Sequence, residues 1–203
     1  HLPNYSVFDE YRIFVPGDQL ISFELGDLKF SLLICEDIWQ EGGPVGKLKE
    51  EKSDVALVLN GSPFEIDKDD RRVELVKNLA AKQDVAVAYV NLVGGQDDLV
   101  FDGDSLMVDA NQNLIGRGKQ FEEDLLLFDI ESKSSVSAAS QTSVHKLDDN
   151  WQVWNALVLG LRDYVNKNNF KSVILGLSGG IDSAVCAALA VDALGSHRVF
   201  GVS

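Results

Sequence analysis

The stretch Leu175–Val185, "LGLSGGIDSAV", decides how the chain is read. The apolar run Ser172–Gly176 reads as a strand, and Ser-Gly-Gly as a tight turn. Asp182–Leu194 then reads as a nearly all-apolar helix closed by Gly195, with another strand starting at Arg198. Strand, turn, helix and strand at this spacing open a parallel α/β unit. The glycines let the backbone turn sharply and aim successive N–H groups at an anion, and the helix N-terminus adds its dipole. Ser178 and Ser183 can donate to phosphate oxygens. Asp182 would repel a bare phosphate, so it points to a Mg²⁺ bridging to a nucleotide. No Lys-Ser/Thr follows the glycines, so this is not a Walker A loop. A plain glycine turn with a Ser/Asp helix cap is the competing reading of Ser-Gly-Gly alone.

Upstream, Asp149–Asn168 places Trp151, Trp154, Val158, Leu161 and Val165 on one helical stripe, with Asp148 or Asp149 as its cap. The segment before it, 131–148, has six serines, two lysines and almost no large apolar residue, which predicts a linker. Residues 1–130 alternate strand-length apolar runs with helical stretches. Leu28–Ile34, Asp54–Asn60 and Val85–Asn91 read as strands, and Asp69–Gln83 as a helix. Ser105–Asp109 and Leu114–Gly116 flank a hairpin turn, and Asp124–Ile130 is expected to be the last strand of this block. The organisation is therefore a layered α/β domain over 1–130, a linker over 131–148 and the beginning of a second α/β domain over 149–203.

Composition sets limits. The 203 residues carry a formal charge of −14, so a general binder of nucleic acid is excluded by repulsion from phosphate backbones. No apolar run approaches the ~20 residues that span a membrane, and no signal peptide is visible. Two cysteines, Cys35 and Cys186, make no disulfide framework and lie near no histidine at metal-ligand spacing, so the chain reads as cytoplasmic. The start lacks a methionine, which predicts missing upstream residues.

"SLLICEDIW", Ser31–Trp39, ends an apolar run on Cys35 and follows it with two acids. A cysteine at a strand end is commonly inert filler. Glu36 and Asp37 would raise its pKa, the wrong direction for a nucleophile, so a cation and a base must come from elsewhere in the fold. His1, His145 and His197 are poor candidates for that base by position. Cys186, on an apolar helix face, reads as core.

Two resemblances extend this reading. The string Ser178–Ser183, "SGGIDS", is similar to the pyrophosphate loop of N-type ATP pyrophosphatases, which adenylate a carboxylate or carbonyl oxygen before a nucleophile displaces AMP. It implies that Gly176, Leu177, Ser178, Gly179, Gly180, Ile181, Asp182 and Ser183 bind ATP, with Asp182 on Mg²⁺. Upstream, "HLPNYSVFDEYRIF", "LLICEDIW", "LNGSPFEIDKDDRR" and "NLVGGQDDLVFDGDS" follow in that order. Together they resemble the glutamine amidohydrolase domain of the nitrilase superfamily, in the form fused to NAD synthetase. That resemblance implies the C-terminal part of an α-β-β-α sandwich followed by the start of a Rossmann-like parallel domain. It implies Cys35 as the nucleophile of a Glu–Lys–Cys triad, whose lysine and glutamate are expected upstream of His1. It also implies that Tyr5, Ser62 and Lys68 contact substrate glutamine, and that Glu36 holds its α-amino group. Singly, Tyr5 reads equally as partly buried core, Ser62 as a turn former and Lys68 as a solvated charge.

GMP and asparagine synthetases share the SGGxDS loop but build their glutaminases on other folds, so the pairing is the informative feature. It implies a glutamine-dependent NAD⁺ synthetase with L-glutamine, deamido-NAD⁺ and ATP as substrates, acting as a homo-oligomer. The rivals are an amidohydrolase with a degenerate ATP-binding domain and an inactive fragment. The isolated 203 residues are expected to be inactive.

Overall fold

The computed structural model describes residues 1–139 and 146–203. The expected linker histidine, His145, lies outside the described residues. Strand β1 (Ile21–Leu25) turns at Gly26 into β2 (Leu28–Ile34), and β3 (Val55–Asn60) follows after short 3₁₀ turns. Helix α1 (Lys68–Gln83) leads to β4 (Ala86–Asn91), then to the short hairpin β5 (Val93–Gln96) and β6 (Leu99–Asp102). Strands β7 (Leu106–Val108) and β8 (Leu114–Arg117) complete a six-stranded mixed sheet of order β1-β2-β3-β4-β7-β8. Its centre, β2-β3-β4, is parallel, and its flanks are antiparallel. Period-two alternation decides which face is covered. Leu33, Val58, Val87, Tyr89 and Val108 point to α1 and meet Val76, Leu79 and Ala80 there.

Among the described residues the opposite face is covered only at the N-terminal end of the parallel strands. A hairpin of β9 (Phe128–Ser132) and β10 (Ser135–Ala138) lays Phe128, Ile130 and Val136 over Val55, Ala86 and Met107. Ile34, Leu59 and Val90, further along the same face, stay exposed. This hairpin corrects two expectations. The strand expected over Asp124–Ile130 lies at Phe128–Ser132, and a further strand, Ser135–Ala138, pairs with it where a linker was expected. Alternation of Ile130 and Val136 with polar residues gives the hairpin one apolar face, which the serine content of the segment obscured.

Helix α2 (Asp149–Lys167) starts at Asp148, whose carboxylate accepts the N–H groups of Asn150 and Trp151 at 3.1 and 3.2 Å. After it come β11 (Val173–Gly176), α3 (Ile181–Leu194) and β12 (Val199–Val202), with β11 and β12 parallel. Val158 and Val165 of α2 pack on Ala193 and Leu194 of α3. Another side of α2 places Ala156 and Leu159 against Phe121, Phe64, Val93 and Val100 of the larger sheet domain. Trp151 is 57 % exposed, so the buried stripe runs through Gln152 and Ala156 in its place. Gly95 of β5 and Gly160 of α2 make this approach possible: a Cβ on Gly95 would sit 3.0 Å from the Gly160 Cα. Cys186 is exposed, contrary to the core assignment. Helix α3 is largely apolar, but among the described residues only α2 and a two-stranded sheet pack on it, so one face suffices to cover them.

Candidate active site

Cys35 follows β2 where the parallel strands end, at the first residue of a 3₁₀ turn, with a φ of 24°. A non-glycine residue held there is strained, a feature concentrated at functional sites. The turn places Cys35 and Glu36 in the wall of a cavity of about 470 Å³, well within the size range of small-molecule sites. Tyr5, Ser62 and Lys68 line the same cavity, so all five residues expected to serve one substrate converge. Trp39, Phe64 and Leu99 supply apolar wall, and the Arg71 guanidinium lies 5.8 Å from the Trp39 ring centre.

The polar groups are oriented. Glu36 is buried, and its two carboxylate oxygens accept from Tyr5 Oη at 2.9 Å and Gln40 Nε2 at 2.7 Å. The Tyr5 phenol is pushed up to about 12, first by burial and then by its bond and proximity to Glu36. Asp37, the second acid, turns away: its carboxylate accepts the Ile34 N–H at 2.9 Å. Lys68 opens α1 and pairs with Glu65 at 2.6 Å, holding that carboxyl below its usual range. Burial raises the Cys35 thiol, and Glu36 adds to the rise. The Gly61 backbone N–H, Lys68 and Arg72 oppose it without reversing it. Neither described histidine answers as a base: the His1 ring packs on Gly43 and the His197 ring on Gly195, while His145 is outside the described residues.

Sequence reasoning missed the support beneath this cavity. Arg72 is fully buried and pairs with Asp102 at 2.6 Å while donating to the carbonyls of Ser62 and Pro63 at 3.0 and 3.2 Å. Gln40 was missed as well. Helical spacing was the available signal: Arg72 falls four residues before Val76 and seven before Leu79, on the buried stripe of α1.

The glycine loop stands apart, between β11 and α3. Gly179 has a φ of 82°, and Gly180 caps α3. Ser178 and Ser183 hydroxyls lie 3.3 Å apart, and Ser183 also donates to the Gly180 carbonyl at 3.0 Å. Leu177 donates its N–H to Val202 at 2.7 Å and closes over Gly201, where any Cβ would meet its side chain at 2.5 Å. Gly176, Ile181 and Asp182 complete an exposed rim. Among the described residues no group of three potential ligands surrounds Asp182. One carboxylate fits a Mg²⁺ that takes its remaining ligands from phosphate and water.

The model of the carbon–nitrogen hydrolase family matches residues 1–140. The chain belongs to the carbon–nitrogen hydrolase family. A second family model, NAD synthase, matches residues 153–203. A glutamine-dependent NAD(+) synthetase from Acinetobacter baylyi is 43 % identical over 100 % of this chain and 37 % of its own length. One from Aquifex aeolicus is 39 % identical over 99 % of this chain and 41 % of its length. The solved glutamine-dependent NAD+ synthetase from Acinetobacter baumannii, in complex with ADP, superposes with a TM-score of 0.92 at 43 % identity, over 99 % of this chain and 38 % of that one. A Nesterenkonia amidase at 24 % identity and a TM-score of 0.50 shares the fold, covering 59 % of this chain. The chain thus spans about two-fifths of the length of the curated relatives it matches. Its carbon–nitrogen hydrolase part is nitrilase-like, and the start of a NAD synthase domain follows. No helix among the described residues is long and apolar enough to cross a membrane.

Proposed function

We propose that these residues serve a glutamine-dependent NAD⁺ synthetase, in which the Cys35 cavity releases ammonia from L-glutamine and the Gly176–Ser183 loop serves ATP. One observation carries the reading. Cys35, Tyr5, Glu36, Ser62 and Lys68 line a single cavity of a carbon–nitrogen hydrolase fold, in the same chain as a NAD synthase match.

Glutamine enters with its α-ammonium toward Glu36, which Tyr5 and Gln40 hold in place. Its α-carboxylate faces Lys68, for which it competes with Glu65. The Cys35 sulfur attacks the carboxamide carbon, the C–N bond breaks and ammonia leaves. Water then hydrolyses the thioester to glutamate and restores the thiol. A hydrogen-bond donor to the oxyanion of the tetrahedral intermediate is typically worth about 10²–10³ in rate. Because burial raises the thiol, a base must take its proton and pass it to the leaving nitrogen. The Glu–Lys pair of the resembled family would supply that base and its cation.

At the loop, the carboxylate of deamido-NAD⁺ attacks the ATP α-phosphorus and pyrophosphate departs. Ammonia then displaces AMP to give the amide of NAD⁺. The N–H groups at the start of α3 and the Ser178 and Ser183 hydroxyls hold the pyrophosphate. A Mg²⁺ beside Asp182 would neutralise its charge. Confining free ammonia calls for a closed passage, so a cytoplasmic homo-oligomer belongs to the proposal. Assay of the full-length polypeptide with deamido-NAD⁺, ATP, Mg²⁺ and glutamine tests it. NAD⁺ and AMP should form one to one; glutamate release that needs no ATP and yields no NAD⁺ would favour a simple amidohydrolase.

A further inference from the structure

Asn91 closes β4 and turns both ends of its carboxamide to Ser62. Its Oδ1 accepts the Ser62 N–H at 2.9 Å, and its Nδ2 donates to the Ser62 carbonyl at 3.2 Å. Arg72 reaches the same turn from α1, donating to the Ser62 carbonyl at 3.0 Å and to its hydroxyl oxygen at 3.3 Å. Asp102 joins the two, pairing with Arg72 at 2.6 Å and accepting from Asn91 Nδ2 at 3.4 Å. All four residues are buried. Burying an ion pair and a carboxamide is expensive, and apolar packing would hold strand ends as well. What the polar ring adds is direction, because each bond fixes the orientation of the turn. The turn faces the cavity: Ser62 and Cys35 both line it, and the Gly61 N–H counters the rise of the Cys35 thiol.

We propose that Asn91 is a positioning residue, whose carboxamide, backed by the Arg72–Asp102 pair, locks the Gly61–Ser62 turn against Cys35. This deepens the site described under Proposed function and rests on that reading only where glutamine turnover is measured.

The test uses the full-length polypeptide and its Asn91→Ala variant. Alkylation of Cys35 by iodoacetamide is followed across pH by peptide-resolved mass spectrometry, with Cys186 as internal reference. The variant should move the Cys35 midpoint upward and slow its reaction at neutral pH while Cys186 keeps its profile. In parallel, kcat/KM for glutamine should fall by roughly 10²-fold. Asn113→Ala, which removes only a bond to Asp109 in the β7–β8 turn, should change neither reading. An Asn91→Ala protein with an unchanged Cys35 profile and unchanged glutamine kinetics overturns the proposal. If that variant does not fold, amide exchange in the wild type decides: the Ser62 N–H should exchange as slowly as Val58 in β3, and much faster exchange overturns it. Loss of glutamine turnover in the wild type would remove the functional reading, yet the alkylation profile would still decide the role of Asn91.

Discussion

Gln152 of α2 donates through Nε2 to Asp69 Oδ2 at 3.1 Å, so the helix that leads into the glycine-loop unit is keyed to the residue beside Lys68. Asp69 is buried and also meets Arg117 at 3.3 Å and Lys146 at 3.5 Å. The larger sheet domain and α2 are therefore joined by a polar contact inside their shared interface. Replacing Gln152 with Leu strips a hydrogen-bond donor from a buried carboxylate. Urea unfolding of Gln152→Leu should show a loss of about 1–3 kcal/mol.

The same carboxylate gives a pH dependence. Burial penalises the charged form of Asp69, but the Asp70 N–H, Lys146, Arg117 and Gln152 outweigh it and hold the group below its ordinary 3.8. A carboxylate lowered by folding stabilises the native state above its unfolded value, and that contribution is lost as pH falls through the folded value. Wild-type stability should thus decline below about pH 4. Thermal melts of Asp69→Asn should show lower stability at pH 7 and a flatter acid limb.

Arg72 and Asp102 form a pair with side chains 0 % and 1 % exposed. Removing one partner leaves the other buried and uncompensated, which costs about 3–5 kcal/mol. Arg72→Met should therefore lower the urea midpoint far more than Arg71→Met, whose side chain is 59 % exposed.

Glu36 contributes to the raised thiol of Cys35. Glu36→Gln should bring the Cys35 alkylation midpoint down while weakening glutamine binding, because the acceptor for the α-ammonium is gone. A midpoint that stays or rises would separate Glu36 from the thiol.

Much of this was legible in the sequence, and the exceptions share causes. Leu28–Ile34, Asp54–Asn60 and Val85–Asn91 stood out because central parallel strands read as near-continuous apolar runs. The β5–β6 hairpin did not, since Val93–Gln96 contains two glycines and owes its place to the close approach of Gly160. Residues 131–138 were hidden by serines, although Ile130 and Val136 carry the packing. At the site, Cys35, Glu36 and Ser62 sit in compact strings that can be read locally. Asn91 and Asp102 cannot be found that way, because their roles depend on partners 29 and 30 residues away in sequence. Arg72 looked like one more charge in "DKDDRR" until helical phase is considered.

The most direct measurement compares wild type with Cys35→Ala in the full-length polypeptide, following NAD⁺ formation from deamido-NAD⁺ and ATP with either glutamine or ammonium. The glutamine-driven rate should fall by about 10⁴-fold or more, while the ammonium-driven rate stays near that of the wild type. Equal glutamine-driven rates in the two proteins would contradict the assignment of Cys35 as the nucleophile.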